Sequence, residues 1–376
     1  MTHRINIIFD YLKNEIVLTV AWILAIASML LVKPDKAYLD YIHWDTLCTI
    51  LSLMIVMAGF KKEGVFNYLG AKLLARTKTR HMVEIVLVMA TFFSAMFITN
   101  DVALITFVPF ALITLRMGHM DNRIIPVVAL QSIAANLGAM LTPIGNPHNI
   151  YFYFLSDEYT IWNFIGVTWP YVLLGGLMLV IFVLIQKNKE IDTKEALSTS
   201  FNGDRKAVKT YILLFVLSLM SLFKIMVPLI ALVVLVSAFA RDKEILKKVD
   251  YSLLFTFIGF FIFIGNMQRV EVFANFISEL LEGHEMLVTV GLSQIISNLP
   301  TALLLSGFTN NYNLLMVGTD IGGLGTLIAS IANLISYKWI IKEEPDLKAS
   351  YVPTFTIYCI IFLAFELALC YFTGLW

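Results

Sequence analysis

The sequence predicts an all-α polytopic membrane protein built as two inverted repeats. Each repeat carries a re-entrant helical hairpin and a broken transmembrane helix. Three observations lead there. The 376-residue chain is 59% hydrophobic and only 14% charged, with a mean hydropathy of +0.81. Soluble domains carry about 25% charged residues, so this composition excludes them. Apolar segments near the roughly 17–25 residues needed to cross a bilayer recur along the chain. Finally, two stretches repeat each other. Gly138, Thr142, Ile144, Asn149 and Tyr153 match Gly322, Thr326, Ile328, Asn333 and Tyr337 at a constant offset of 184 residues. Upstream, Ile98-Thr99-Asn100 matches Ile296-Ser297-Asn298 at an offset of 198. Paired polar interruptions in two apolar halves point to a transporter's binding site.

The elements follow in order. Spanning segments are predicted near 15–32, 44–60, 162–186, 208–223, 225–241 (short), 250–266 and 351–374, with interrupted spans at 123–155 and 312–337. The stretches 82–117 and 285–309 have polar centres, and each reads as two short helices meeting at a polar tip. Non-helical backbone at that depth is tolerated only where protein or a water-filled cavity covers it. Residues 61–77 form an amphipathic interfacial segment whose counterpart is 269–282. The first repeat is 1–186, with hairpin 82–117 and broken helix 123–155. A linker loop and connecting helix occupy 187–224, with the polar stretch 187–206 as the one linker-like loop. The second repeat is 225–376, with hairpin 285–309 and broken helix 312–337.

Charge placement supports this layout. With the N-terminus cytoplasmic, the C-terminus external and both hairpins returning to their starting side, only Lys33, Lys36, Lys224 and Arg269 of the 27 Lys and Arg fall outside cytoplasmic segments. That is the bias of the positive-inside rule. Reading either hairpin as a full span flips everything after it and destroys the bias. The helix at 208–223 reverses the direction of the second half, so the first hairpin enters from the cytoplasm and the second from outside. A multi-pass protein of the cytoplasmic membrane is expected. Net charge is zero, so no basic face suggests nucleic acid. Cys48, Cys359 and Cys370 lie in apolar stretches and read as small hydrophobes, not a disulfide or metal framework. Ala25 to Ala27 resembles a signal cleavage site, but 15–32 is long enough to remain as the first helix.

Chemistry concentrates at the interruptions. Thr99, Asn100 and Asp101 at the first tip, with Ser297 and Asn298 at the second, bring hydroxyl and amide groups to bilayer depth. A helix starts after each tip, and its free N–H groups suit an anion or polar substrate. The breaks, Thr142 to Asn149 (TPIGNPHN) and Thr326 to Ser330 (TLIAS), add unwound carbonyls and side-chain oxygens suited to a small cation such as Na⁺. The same groups also suit helix capping and interhelical contact. A carboxylate in the membrane costs about 2.5–3.5 kcal/mol on the lenient insertion scale. Asp101 therefore reads as a cation or proton site as well as a helix cap. His148, in the first break, is a possible pH sensor. Asp320 stands where the first repeat has Asn136 and is expected near the outer mouth, capping its helix or taking part in coupling. Glu84 is expected near a hairpin end, within reach of water. Glu366 has no assigned role. Lys224 marks a short external turn. Gly322, Gly323 and Gly325 lack the strand and the Lys-Ser/Thr of a phosphate loop.

The stretches ITNDVALITFVPFAL (98–112), LTPIGNPHNIYFY (141–153), SQIISNLPTALLLSGF (293–308) and IGGLGTLIASIANLISY (321–337), with the two-hairpin layout, resemble the ion transporter superfamily over essentially the whole chain. That group includes citrate and dicarboxylate transporters, arsenite permeases and NhaD-type antiporters, and the resemblance is strongest to citrate-transporter-like anion permeases. The resemblance implies a central substrate site between the tips, drawing on Thr99, Asn100, Asp101, Thr142, Asn146, Ser297, Asn298 and Thr326. It implies one cation site from Thr99, Asn100, Gly145 and Asn146, with Asp101 beside it. A second would come from Ser297, Asn298, Ala329 and Ser330. It further implies a homodimer whose hairpins and broken helices move as an elevator against a fixed scaffold of spans such as 15–32, 44–60, 225–241 and 250–266. The sodium-coupled dicarboxylate branch has Ser-Asn-Thr at both tips, whereas the third positions here are Asp101 and Leu299. An acid there repels a dianion unless a proton or cation neutralises it, and Ala329 lacks a side-chain oxygen.

The expected function is secondary active transport of a small anion, such as citrate or a dicarboxylate, coupled to H⁺ or Na⁺, with no other cofactor. A Na⁺/H⁺ antiporter or an arsenite or oxyanion exporter is the alternative on the same fold. A membrane enzyme using Asp101 and His148 lacks a visible nucleophile with base and orienter, so no catalytic residue is expected. A channel fits poorly with hairpins entering from opposite sides.

Overall fold

The computed structural model describes residues 15–74, 77–155, 159–186, 188, 201 and 203–375. Most of the polar linker 187–206 lies outside them. The described chain is helical, and it opens with α1 (Ile16–Ser28), the short α2 (Ala37–Asp40) and α3 (Trp44–Lys62). An amphipathic helix, α4 (Val65–Leu74), follows. The first hairpin is α5 (Arg80–Ala95) and α6 (Asn100–Met117). The first broken helix is α7 (Ile124–Ala139) and α8 (Pro147–Leu155), after which α9 (Ile161–Leu184) and α10 (Arg205–Met220) complete the first half.

The second half begins with α11 (Val227–Arg241), the short α12 (Lys243–Leu246) and α13 (Tyr251–Gln268). The amphipathic α14 (Glu271–Leu281) precedes the second hairpin, α15 (Glu285–Ile296) and α16 (Asn298–Ser306). The second broken helix is α17 (Tyr312–Gly322) and α18 (Ile331–Glu343), and α19 (Lys348–Thr373) ends the chain. Helices thus stop and restart at the predicted polar interruptions. The protein is an all-α polytopic membrane protein. Helices α3, α6, α9 and α13, together with α10 through Phe223 and the Pro345–Thr373 segment that contains α19, are long and apolar enough to cross a bilayer.

Local chemistry sets several boundaries. Thr79 and Thr160 cap α5 and α9 by accepting from the backbone N–H of Met82 and Asn163. Asp204 and Asp250 do the same for α10 and α13. Pro147 opens α8, where its missing N–H costs nothing. Two lengths differ from expectation. Helix α1 is 13 residues, shorter than the apolar segment containing it. The arms of the first hairpin are 16 and 18 residues, not two short helices, because apolar sequence flanks the tip for several turns on both sides. The second hairpin is shorter, with arms of 12 and 9 residues.

Packing runs crosswise between the halves. Helix α1 packs on α13, and α3 packs on α11. The second arm of each hairpin packs on the segment that follows the break in the opposite broken helix, α6 against α18 and α16 against α8. Helix α7 is buried among α5, α6, α9 and α19 and forms the centre of the core. Large apolar side chains such as Leu30, Leu213, Ile225 and Phe372 remain exposed on the outside, a surface suited to lipid rather than water.

Candidate functional site

The two hairpin tips are built alike. Asn100 and Asn298 each open the second arm, and each side-chain Oδ1 accepts from the next backbone N–H, that of Asp101 and of Leu299, at 2.9 Å. Each tip touches its own break. The Asn100 N–H donates to the Gly145 carbonyl at 3.0 Å, and the Ser297 hydroxyl donates to the Ala329 carbonyl at 3.4 Å. The tips differ in backbone. Thr99 is extended, whereas Ser297 has φ 76° and ψ 153°, a region almost reserved for glycine.

The breaks are held by matched bonds. The Thr142 hydroxyl donates to the Met96 carbonyl at 2.5 Å, and the Thr326 hydroxyl donates to the Gln294 carbonyl at 3.0 Å. Both threonines therefore latch a break to a hairpin. Within each break, Asn149 Nδ2 donates to the Ala139 carbonyl and Asn333 Nδ2 to the Gly323 carbonyl, satisfying groups freed where a helix ends. The second break has an extra clamp that sequence reasoning missed. Gln294 Nε2 donates to the Gly322 and Leu324 carbonyls, and its Oε1 accepts from the Thr326 N–H. Gly325, at φ 128°, makes room for it: a Cβ there would lie 2.2 Å from Gln294 Oε1.

Between the breaks lies a buried amide network. Asn100 Nδ2 donates to Asn136 Oδ1, and Asn136 Nδ2 donates to Asn333 Oδ1 at 2.9 Å. The Ser132 hydroxyl also donates to Asn333 Oδ1, at 3.0 Å. A Cβ added at Gly323 would meet Asn298 Nδ2 at 3.1 Å and Asn136 Oδ1 at 3.3 Å, so the second tip reaches the same centre. Asn136, Ser132 and Gln131 were not singled out as site residues. Gln131 Nε2 reaches the Leu87 and Phe107 carbonyls and so ties together both arms of the first hairpin. Their signal is the adjacent polar pair Gln131 and Ser132, with Asn136 one helical turn beyond Ser132, on an otherwise apolar helix.

Asp320 corrects an expectation. It does not open its helix near an outer mouth. It sits in the last turn of α17, 2% exposed, where Oδ1 accepts from Asn146 Nδ2 at 2.8 Å and lies 3.1 Å from His148 Nε2. A hydropathy reading could place it in a span but could not show that the break of the other half would fold onto it. Ser330 is buried at the start of α18.

Asp101 faces another way. It is half-buried and, with Thr99, lines a cavity of about 170 Å³ whose other polar walls include Lys61, Lys248 and Asp250. Asn100, one residue earlier, turns inward to the amides. Glu84 is a second correction: it does not reach water. It is fully buried and held by Arg123, from Nε at 2.7 Å and Nη2 at 2.9 Å, and by Arg80 at 3.0 Å. Glu366 is fully buried on α19, and neither carboxyl oxygen has a hydrogen-bond partner among the described residues. Lys224 lies over the Tyr153 ring, 5.1 Å from its centroid. Cys48, Cys359 and Cys370 are free. Among the described residues, no three His, Cys, Asp or Glu side chains gather to hold a metal ion.

Residues 7–311 match the family described as citrate transporter. The chain belongs to the citrate transporter family. It is 33% identical over 311 residues to an uncharacterized transporter of Methanocaldococcus jannaschii, covering 82% of this chain and 84% of that protein. It is 31% identical over 319 residues to the inner membrane protein YbiR of Escherichia coli, covering 81% and 82%. A shorter likeness, 27% over 149 residues, joins it to the P protein of Mus musculus, covering 38% of this chain and 18% of that protein. The family and the relative from Methanocaldococcus jannaschii are both described as transporters.

Proposed function

We propose that this citrate transporter family member is a secondary active transporter of a small anion, a carboxylate such as citrate or a dicarboxylate, driven by H⁺ or Na⁺. One observation carries the proposal. Two hairpin tips, each latched to a helix break by a matched threonine, converge on a shared buried amide cluster. Convergence of polar tips and unwound backbone inside an apolar protein has little structural purpose, since each buried polar group must be satisfied at a cost. It suits a solute that is gripped and released.

In this reading the substrate lies between the tips. Thr99, Asn100, Asp101, Ser297 and Asn298 contact it, and Thr142, Thr326, Asn146 and Ser330 hold the geometry. Coupling ions lie beside the tips, against the carbonyls of Gly145 and Ala329. The free N–H groups at the starts of α6 and α16 supply partial positive charge for a carboxylate. Lys61 and Lys248, in the wall of the Asp101 cavity, draw anions toward the first tip. His148 stands beside this site, 3.1 Å from Asp320 Oδ1. The two halves are inverted repeats in a cytoplasmic membrane, with the N-terminus inside and the C-terminus outside. The hairpins and broken helices move against a homodimeric scaffold that includes α1, α3, α11 and α13. The crosswise packing of hairpins on opposite broken helices supports movement as one unit.

A second reading is a Na⁺/H⁺ antiporter or an oxyanion exporter. It is favoured by Asp101 at the tip and Asp320 in the core, and by the lack of any Lys or Arg ion-paired with either among the described residues. Uptake into proteoliposomes across a panel of carboxylates and oxyanions, under imposed Na⁺ or H⁺ gradients, separates the two. Gradient-driven carboxylate uptake supports the proposal; Na⁺/H⁺ exchange without any anion overturns it.

A further inference from the structure

We propose that Asn146, Asn149 and Asp320 form a site for a small monovalent cation, sodium by its ligand chemistry, between the two broken helices. The site goes beyond the anion site described above. It adjoins the first tip through Asn146 but takes its charge from the other half of the chain.

Three side-chain oxygens carry the inference. Asn146 Oδ1, Asn149 Oδ1 and Asp320 Oδ2 are buried, and none has a hydrogen-bond partner among the described residues. Such groups are rare in folded proteins, and each costs about 1–3 kcal/mol when left unpaired. The neighbouring amides are fully used. Asn136 accepts from Asn100 and donates to the Ser132 carbonyl and Asn333, while Asn333 accepts two bonds and donates two. Other buried oxygens without a partner among the described residues, such as Gln131 Oε1, Asn266 Oδ1 and both of Glu366, are scattered, whereas these three belong to one break and the carboxylate that it contacts.

Contacts and the internal repeat relate their positions. Asn146 and His148 already contact the other carboxylate oxygen, Asp320 Oδ1. The offset relating the two halves maps Asn149 and Asp320 onto Asn333 and Asn136, which touch at 2.9 Å. In that pair the Asn136 amide supplies the hydrogen. In the pair related to it by this offset, the carboxylate and the amide oxygen are both acceptors, and a positive group between them would satisfy both. A proton on Asp320 would bond one amide oxygen and leave the other unpaired. A cation serves all three oxygens at once. Hard oxygen donors beside an unwound backbone suit Na⁺. One carboxylate neutralises one positive charge, and no cluster of acidic, His or Cys side chains among the described residues would serve a divalent ion. Among the described residues Asp320 has no Lys or Arg partner, and its ion-pair neighbour is His148.

The test counts bound sodium and needs no anion, so failure of anion transport would not touch it. Purified protein is equilibrated with radioactive sodium against choline, and bound ions per chain are counted for the wild type and for Asp320→Asn. The substitution installs the residue that the first half carries at Asn136, whose amide can donate to Asn149 Oδ1. Its melting temperature in choline should therefore match or exceed that of the wild type. The expected result is one sodium fewer per chain in Asp320→Asn. An equal count in both proteins overturns the proposal, as does a wild type that binds no sodium or is stabilised by acid alone. If Asp320→Asn fails to fold, Asp320→Ser is counted in its place, with the same two outcomes.

Discussion

Asn136 on the first broken helix donates through Nδ2 to Asn333 Oδ1 on the second at 2.9 Å, and both side chains are buried. This bond joins the halves at the level of their breaks. Asn333 also holds its own break closed through the Gly323 and Thr326 carbonyls. One side chain therefore fixes both the local backbone and the contact between halves.

Replacing Asn333 with Ala should strand the Asn136 amide, the Ser132 hydroxyl and two backbone carbonyls. Each unsatisfied buried group costs about 1–3 kcal/mol, so the melting temperature should fall clearly and uptake should be lost. Asn333→Asp, which keeps the acceptor oxygen but removes the donor, should weaken the break more than the contact with Asn136. Thermal unfolding in detergent with uptake in proteoliposomes checks both variants.

Ser297 holds a glycine-like backbone while its hydroxyl contacts the Ala329 carbonyl. Backbone strain of this type costs on the order of 1–3 kcal/mol. Ser297→Gly should therefore raise stability while lowering uptake, because the hydroxyl is lost. A variant that is both less stable and fully active would show that neither the strain nor the hydroxyl matters. The comparable Thr99→Gly change should lower stability as well as uptake, since Thr99 is extended already and no strain is relieved.

Asp101 belongs to the cavity that holds Lys61 and Lys248. Asp101→Asn keeps its size and removes its charge. The protein should stay folded, and the pH or Na⁺ dependence of transport should shift. Uptake measured over a grid of pH and Na⁺ values tests this; curves superimposable on the wild type would remove Asp101 from coupling. Asn100→Ala and Asn298→Ala should each impair uptake, because each removes a side chain that caps its hairpin arm at the tip.

The Glu84–Arg123 pair fastens the base of the first hairpin to the start of α7. Both oxygens of the carboxylate are engaged, and both side chains are buried. Removing one partner of such a pair costs about 3–5 kcal/mol when the other charge is left buried and alone; here Arg80 remains at 3.0 Å from Glu84, which places the loss toward the lower end. Arg123→Met should therefore lower stability, while Glu84→Gln with Arg123→Met should recover part of the loss. A double-mutant cycle on the melting temperature measures the coupling.

The sequence by itself determined the class and the outline. A composition this apolar allows no soluble fold, and polar residues flanked by long apolar runs leave little choice about where helices are interrupted. The matched spacing of Thr142 with Thr326 and of Asn149 with Asn333 falls where helices end and restart, because the need to satisfy freed backbone groups is local and falls on residues a few positions away. What only the tertiary structure decided was which polar groups from distant segments meet. Asp320 was legible as a charge in an apolar span. Its contacts with Asn146 and His148 arise from the packing of α17 on α7 and α8, with no signature in neighbouring residues. The Glu84–Arg123 pair and the Gln294 clamp were hidden for the same reason. Hydropathy reports the cost of burying a group, whereas the partner that offsets this cost is chosen by the three-dimensional crossing of helices.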